Sequence, residues 1–194
     1  MKLPMILLAG LLLVCATASN VAAAPAKPAP LPADSVYQLP LPLTDQHGRH
    51  WDWRRRRGQP QLVAMFYSSC QYMCPLIVES GKAVDRALTP AQRTKLGVLL
   101  ISLDPARDTP ATLATVVQQR HVDDRRWALA SPKPGDVRNA AAVLGVRYRA
   151  LADGEFNHTS ELILLDANGR ILARTAKIGS DVDREFISKV KSAL

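Results

Sequence analysis

At 194 residues, 47% of them hydrophobic and 22% charged, the chain has material for one domain of the usual roughly 100–200 residues and too little for two. That composition excludes long disorder and collagen-like repeats, and no internal period of roughly 20–50 residues marks a solenoid. The 25 basic against 17 acidic side chains give a formal charge of +8, which favours acidic partners or anionic surfaces without choosing among them.

Lys2 precedes an apolar run from Met5 to Ala18. The run is shorter than the roughly 20 residues that span a bilayer, so residues 1–23 read as a signal peptide or short anchor, with small-x-small cleavage positions ending at Ala18 and Ala23. Cys15 follows Val14, where a lipoprotein signal wants a small residue, and reads as an apolar part of that segment. The expected location is therefore exported or periplasmic, soluble or tethered by the apolar segment near a membrane. Residues 24–35 are rich in Pro and Ala and read as an extended linker. The domain is expected over residues 36–194.

Within it, Leu41 and Leu43, the turn Asp45–Gly48, and Trp51 and Trp53 suggest a β-hairpin. Arg54–Arg57 reads as a solvated loop, with a docking patch for an acidic partner as the sharper alternative. Nucleic acid is not expected as the partner, because the arginines cluster only once and export places them away from DNA. Gln61–Tyr67 and Leu96–Leu103 are continuous apolar runs of buried-strand length, and Trp127–Ala130 is a shorter one. Helices are expected over Pro75–Leu88, Pro110–Arg120, Pro134–Leu144 closed by Gly145, and Asp181–Lys191. Val146–Ala150 reads as a strand, and Thr159–Leu165 with Arg170–Ala173 as a hairpin around Asn168-Gly169. This order describes a three-layer α/β domain with a mixed sheet and an added N-terminal hairpin.

Cys70 and Cys74 fall where a central strand turns into a helix, the place where open α/β sheets bind ligands and where a helix N-terminus favours thiolate. A structural disulfide there closes too small a loop to constrain the unfolded chain much. Two reactive readings remain: a redox dithiol, or two soft ligands for a thiophilic metal. Redox pairs commonly have two intervening residues and this pair has three, a spacing that suits chelation. A nitrogen ligand would complete a trigonal copper site, with His47, His50, His121 and His158 as candidates. The first three read as surface histidines; His158 stands at the head of a hairpin strand, where ligand and structural roles remain equally open. Met73 as a thioether ligand and Asp104 as an orienting group are weaker alternatives to loop packing and a turn cap. Tyr67 and Phe66 read as core.

Tyr67-Ser-Ser-Cys70-x-x-x-Cys74-Pro75, Asp104-Pro-x-Arg-Asp-Thr-Pro110, and His158-Thr-Ser followed by Leu-Leu-Asp-x-x-Gly-Arg170 together resemble the SCO/SenC family from about Val36 onward. The resemblance implies a thioredoxin-like fold and one copper ion, Cu(I) or Cu(II), held by Cys70, Cys74 and His158. It further implies delivery to the dinuclear copper centre of cytochrome c oxidase, with the copper-accepting oxidase subunit, other copper chaperones and thiol reductants as partners. Family members are also credited with reducing that subunit's cysteines, so Cys70 and Cys74 would be the catalytic pair of any thiol-disulfide activity and would form a disulfide when oxidised. Asn157 departs from the Asp that many relatives carry before the histidine. The competing readings are an exported thiol-disulfide oxidoreductase with no metal role and, more weakly, a peroxidase with one activated cysteine.

Overall fold

The apolar runs form the centre of the sheet in a computed structural model, which describes residues 29–70, 72–181 and 183–194. The chain divides into Met1–Pro30, of which only Ala29 and Pro30 are described, and Leu31–Leu194, to which all that follows belongs. The expected signal segment and residues 24–28 of the expected linker thus lie outside the described residues. Among the described residues no helix is long and apolar enough to cross a membrane.

Nine strands are present among the described residues: β1 (Pro42–Asp45), β2 (His50–Asp52), β3 (Gln61–Phe66), β4 (Gly97–Ser102), β5 (Trp127–Pro132), β6 (Tyr148–Ala150), β7 (Phe156–His158), β8 (Leu162–Leu165) and β9 (Ile171–Thr175). The helices are α1 (Met73–Ala87), α2 (Pro90–Arg93), α3 (Pro110–Arg120), α4 (Val137–Leu144) and α5 (Arg184–Ser192). Seven strands form one mixed sheet in the order β2-β1-β5-β4-β3-β8-β9. β3, β4 and β5 run parallel in its middle, and the expected N-terminal hairpin extends it as β1 pairs antiparallel with β5.

Every residue of β3, β4 and β5 is buried, as continuous apolar runs require when helices cover the sheet. α1 packs on β3 and β8, α3 on β5 and β1, and α5 on β9. Leu62, Val63, Leu99, Leu100, Ile101, Leu129, Ile163 and Leu164 make the apolar centre, each at 1% exposure or less. Burying such a side chain fully contributes about 1.5–3 kcal/mol. The layered α/β expectation holds.

Several local expectations change. The run Val146–Ala150 does not join the main sheet; its last three residues pair with β7 in a separate ribbon, Tyr148 opposite His158. The missed element is the tight turn before Glu155, where Gly154 takes φ +82° and Leu151 N–H reaches Glu155 O at 2.8 Å. His158 consequently closes that ribbon, while β8 begins only at Leu162. Helix α1 starts two residues before Pro75, which costs nothing in hydrogen bonds because the first-turn N–H groups have no intrahelical partner. The arginine run is a 3-10 turn from Trp53 to Arg56, and the segment from Pro134 divides into a 3-10 turn and α4. α2 is an additional short turn fastened by a Thr89/Gln92 capping box.

Candidate functional site

Chain leaving β3 at Phe66 makes a tight turn before entering α1. Cys70 N–H bonds back to Tyr67 O at 3.4 Å, and Tyr67 N–H donates to Cys74 Sγ at 3.3 Å. Tyr72, the residue preceding α1, supplies no side-chain cap. The sulfur of Cys70 lies near the backbone N–H groups of Cys74, Tyr72 and Met73 and the thiol of Cys74, all of which favour its thiolate. Burial pushes the Cys70 thiol up, but these donors outweigh it and its pKa falls below the ordinary thiol value. Cys74 behaves oppositely: its deeper burial dominates, with Cys70 and Asp108 opposing a second negative charge, and its pKa rises. Both cysteines are free thiols, and a cleft of about 50 Å³ lined by Phe66, Ser68 and Val78 lies over them.

Asp108 was invisible as a site residue in the sequence, where it reads as part of a turn. It is 1% exposed, and its carboxylate accepts from Ser102 Oγ at 2.5 Å, from Ser68 N–H at 3.1 Å and from Ser68 Oγ. It therefore ties the start of the cysteine loop to the end of β4. Burial is the chief reason its pKa is raised, against the opposing effect of the two serines. Asp104 fills the turn role, its carboxylate paired with Arg107 and its carbonyl receiving the N–H groups of Arg107 and Asp108.

His158 sits at the end of β7 with Nδ1 3.1 Å from Thr159 O. A carbonyl only accepts, so Nδ1 carries the proton and Nε2 presents its lone pair. Nε2 is buried and has no hydrogen-bond partner among the described residues. Burial lowers the imidazole pKa more than the Thr159 carbonyl raises it, which keeps the ring neutral.

Tyr67 connects the two halves. Its ring meets those of His158 and Phe156 edge-on, at centroid distances of 5.7 and 5.1 Å. Its hydroxyl donates to Glu155 Oε2 at 2.9 Å and accepts Phe156 N–H at 3.3 Å. Burial raises the pKa of that hydroxyl, with Glu155 and Cys70 adding to the effect. Tyr67 is thus both core, as expected, and the brace between the cysteine loop and the β6–β7 ribbon.

The structure brings Cys70 and Cys74 together and does not close His158 onto them: among the described residues no three His, Cys, Asp or Glu side chains stand in a metal-holding group. His158 instead borders an open surface with Arg147, Arg149 and Asn157. The other histidines are placed peripherally. His47 lies 3.7 Å from Asp124, His50 Nδ1 meets Thr44 Oγ1 at 2.9 Å, and His121 caps α3 with φ +50°. Tyr72 and Met73 turn outward, 83% and 38% exposed, so Met73 is no part of the thiol cleft's lining.

The SCO1/SenC family profile matches residues 32–194. An SCO2-like protein of Rickettsia prowazekii is 25% identical over 69% of this chain, and one of Rickettsia typhi is 25% identical over 67%. The matches span 66% and 65% of those relatives' own length, just under two thirds. Among solved structures, Bradyrhizobium japonicum ScoI with copper bound superposes with TM-score 0.68 at 27% identity, covering 80% of this chain and 98% of that one. A SCO1/SenC family lipoprotein from Bacillus anthracis gives TM-score 0.71 at 19% identity, covering 80% of this chain and 93% of that one, and shows the shared fold. The chain belongs to the SCO1/SenC family.

Proposed function

We propose that this protein is an exported copper-binding chaperone that holds one copper ion through Cys70, Cys74 and His158. It passes that copper to the dinuclear centre of a cytochrome c oxidase. The observation that carries the reading is the donor set: two adjacent soft sulfurs, and a buried neutral imidazole whose Nε2 lone pair has no partner among the described residues. A buried acceptor without a partner costs about 1–3 kcal/mol, so a fold that keeps one invites a ligand for it. Two thiolates and one imidazole suit copper by softness and by a three-coordinate geometry open to exchange. The copper-bound relative from Bradyrhizobium japonicum supports the same metal.

Binding requires both thiols to lose their protons. The N–H groups around Cys70 make it the first sulfur available, and Cys74 follows once a cation offsets its burial. His158 is already neutral and needs no proton loss. Joining it to the sulfurs requires the β6–β7 ribbon and the cysteine loop to approach each other about Tyr67. Release then proceeds by stepwise ligand exchange with the acceptor subunit, the exposed Tyr72 and Met73 standing beside the thiols where that subunit would arrive.

A second reading, thiol-disulfide reduction, is favoured by the unequal settings of the two sulfurs. The Cys70 thiolate attacks one sulfur of a substrate disulfide, forming a mixed disulfide and expelling the other sulfur as thiolate. Cys74 then attacks Cys70 Sγ, its proton passing to the departing thiolate, and leaves a Cys70–Cys74 disulfide and a dithiol product.

The deciding experiment measures copper stoichiometry and affinity on the reduced chain, with thiolate-to-copper absorption, for wild type, Cys70→Ala, Cys74→Ala and His158→Ala. One copper per chain, weakened at least tenfold by each substitution, supports the chaperone. Binding indifferent to His158, or disulfide reduction without binding, moves the assignment to the oxidoreductase.

A further inference from the structure

The parallel strands have two ends, and the thiols occupy one. At the other, about 20 Å away by the rise of a six-residue strand, the chain builds a second polar cleft. It has a volume of about 210 Å³ and is lined by Arg49, Arg55, Arg56 and Arg125 with Trp51 and Trp127. Only two of the four arginines of the 54–57 run face it. Arg54 is committed to Asp52 at 2.7 Å, and Arg57 Nε reaches Asn168 Oδ1 at 3.2 Å.

Arg56 is the unusual member. It is half-buried, its guanidinium lies 5.2 Å from the centre of the Trp51 ring, and Nη1 donates to Gln61 Oε1 at 3.0 Å. It makes no salt bridge with any described residue. Burial of the charge lowers its pKa; Tyr37 and Asp45 act the other way, and nearby Arg55 and Arg49 add to the lowering. Arg55 is exposed and has no hydrogen-bond or ionic partner among the described residues. The acidic groups present do not neutralise this pair. Asp45 is saturated by the N–H groups of His47 and Arg49, the Arg49 guanidinium and the Trp51 indole, at 2.9–3.1 Å. Asp124 lies at the rim beside His47. Arg49 is paired with Asp45 and Arg125 with Asp123, so the cleft's positive charge rests on Arg55 and Arg56, and a partly dehydrated cation stacked on an indole is set to receive an anion.

We propose that this cleft is a docking site for an acidic segment of a partner protein, taking an Asp or Glu side chain between Arg55 and Arg56 with its methylenes against Trp51. A planar carboxylate matches the guanidinium fork. Its single charge also suits a cleft that contains Asp45 and Asp124, which disfavour a doubly charged phosphate. A partner held here leaves the thiol end of the sheet uncovered, so docking and chemistry on the thiols proceed at separate surfaces. The proposal does not depend on what the thiols do.

The test is fluorescence anisotropy of a labelled hexaglutamate peptide titrated with the full reduced chain, with inorganic phosphate and hexaglutamine as competitors. The variant is Arg55→Glu with Arg125→Glu, both exposed. The control is Lys189→Glu with Lys191→Glu, an equal charge change on α5 far along the chain. The expected result is an affinity loss of tenfold or more for the cleft variant and less than twofold for the control. Phosphate at matched ionic strength and hexaglutamine should compete poorly. Arg56→Gln, checked for an unchanged far-ultraviolet spectrum and melting temperature, should repeat the loss. Equal losses in cleft variant and control would show only the general attraction of a basic protein for a polyanion and overturn the site. Displacement by millimolar phosphate would overturn the acidic segment as its occupant.

Discussion

Replacing His158 by Leu separates a ligand from a structural histidine, because the two roles predict opposite signs. Leu keeps the side chain's bulk against Tyr67, whose ring stands 5.7 Å from the imidazole. The substitution removes Nε2, buried without a partner among the described residues, and relieves about 1–3 kcal/mol. It also deletes the Nδ1–H bond to Thr159 O, a loss of about 0.5–1.5 kcal/mol. Metal-free stability should therefore lie between about 0.5 kcal/mol lower and about 2.5 kcal/mol higher, a rise in melting temperature of up to about 10 °C for a domain this size. With buffered copper at 100 times its dissociation constant, the wild type should gain about 2.7 kcal/mol. A variant that binds 100-fold more weakly retains about 0.4 kcal/mol in the same buffer. Thermal unfolding of both reduced proteins, with and without copper, should thus show the variant's stability relative to wild type fall by about 2.3 kcal/mol when copper is added. A metal-free loss above about 1 kcal/mol would refute the idle Nε2, since that exceeds the hydrogen-bond loss left after relief. An equal copper gain in both proteins would refute His158 as a ligand.

Four further outcomes follow from the geometry. Tyr67→Phe removes the acceptor of Phe156 N–H and the donor to Glu155, so amide exchange at Phe156 should accelerate by about tenfold or more; unchanged exchange would show that other contacts hold the ribbon. Gly81→Ala places a Cβ 2.5 Å from Trp127 Cη2, and overpacking of about 1–3 kcal/mol should outweigh the roughly 1 kcal/mol helix gain, lowering the melting temperature. A higher melting temperature would mean that the indole yields. Burial pushes the Asp45 carboxyl up, but its four hydrogen bonds prevail and hold it below the ordinary range. Its contribution is then complete above the unfolded value near about pH 3.9 and lost as pH falls through the lower folded value. Asp45→Asn should accordingly be less stable at neutral pH in urea unfolding and should show a flatter decline below about pH 4; parallel declines would contradict this. Finally, iodoacetamide under reducing conditions should label Cys70 well before Cys74 by peptide mass spectrometry, because the helix N–H groups favour the Cys70 thiolate and burial suppresses that of Cys74; equal labelling would refute the asymmetry.

The central strands were legible because a strand buried on both faces must be apolar at every position, and Gln61–Phe66 and Gly97–Ser102 nearly are. The cysteine pair was legible from spacing and from its place at a strand-to-helix turn. Of the β6–β7 ribbon the first strand was legible, within Val146–Ala150, but its partner was not, since β7 has three residues, exposed or half-buried throughout, that carry no periodic signal, and only the turn at Gly154 betrays the pairing. Asp108 was hidden for a different reason. Nothing within its own segment distinguishes a buried anchor from a turn residue; the distinction is made by Ser68 and Ser102, on two other segments. The same holds for Arg56, whose burial comes from Trp51 and Gln61, and for the idle Nε2 of His158, a property of the packed ribbon.

The two proposed uses of the cysteines draw on the same sulfur electrons. A disulfide between Cys70 and Cys74 removes both soft donors, and a metal held by both sulfurs leaves neither free to attack, so the two reactions exclude each other at any instant. The fold divides the mechanical task unequally. Cys74 is fixed as the second residue of α1, with its sulfur held by Tyr67 N–H, and Asp108 pins the start of the loop to the end of β4. Cys70 stands outside the helix, before α1 begins, with N–H groups around its sulfur that favour its charge. The adjustment that closes a disulfide or gathers three ligands therefore falls on the few residues around Cys70 and on the ribbon carrying His158, while the buried strands beneath them stay in register. Tyr67 touches both parts, so in the proposed copper site its hydroxyl contacts to Glu155 and Phe156 would set how readily His158 approaches the sulfurs.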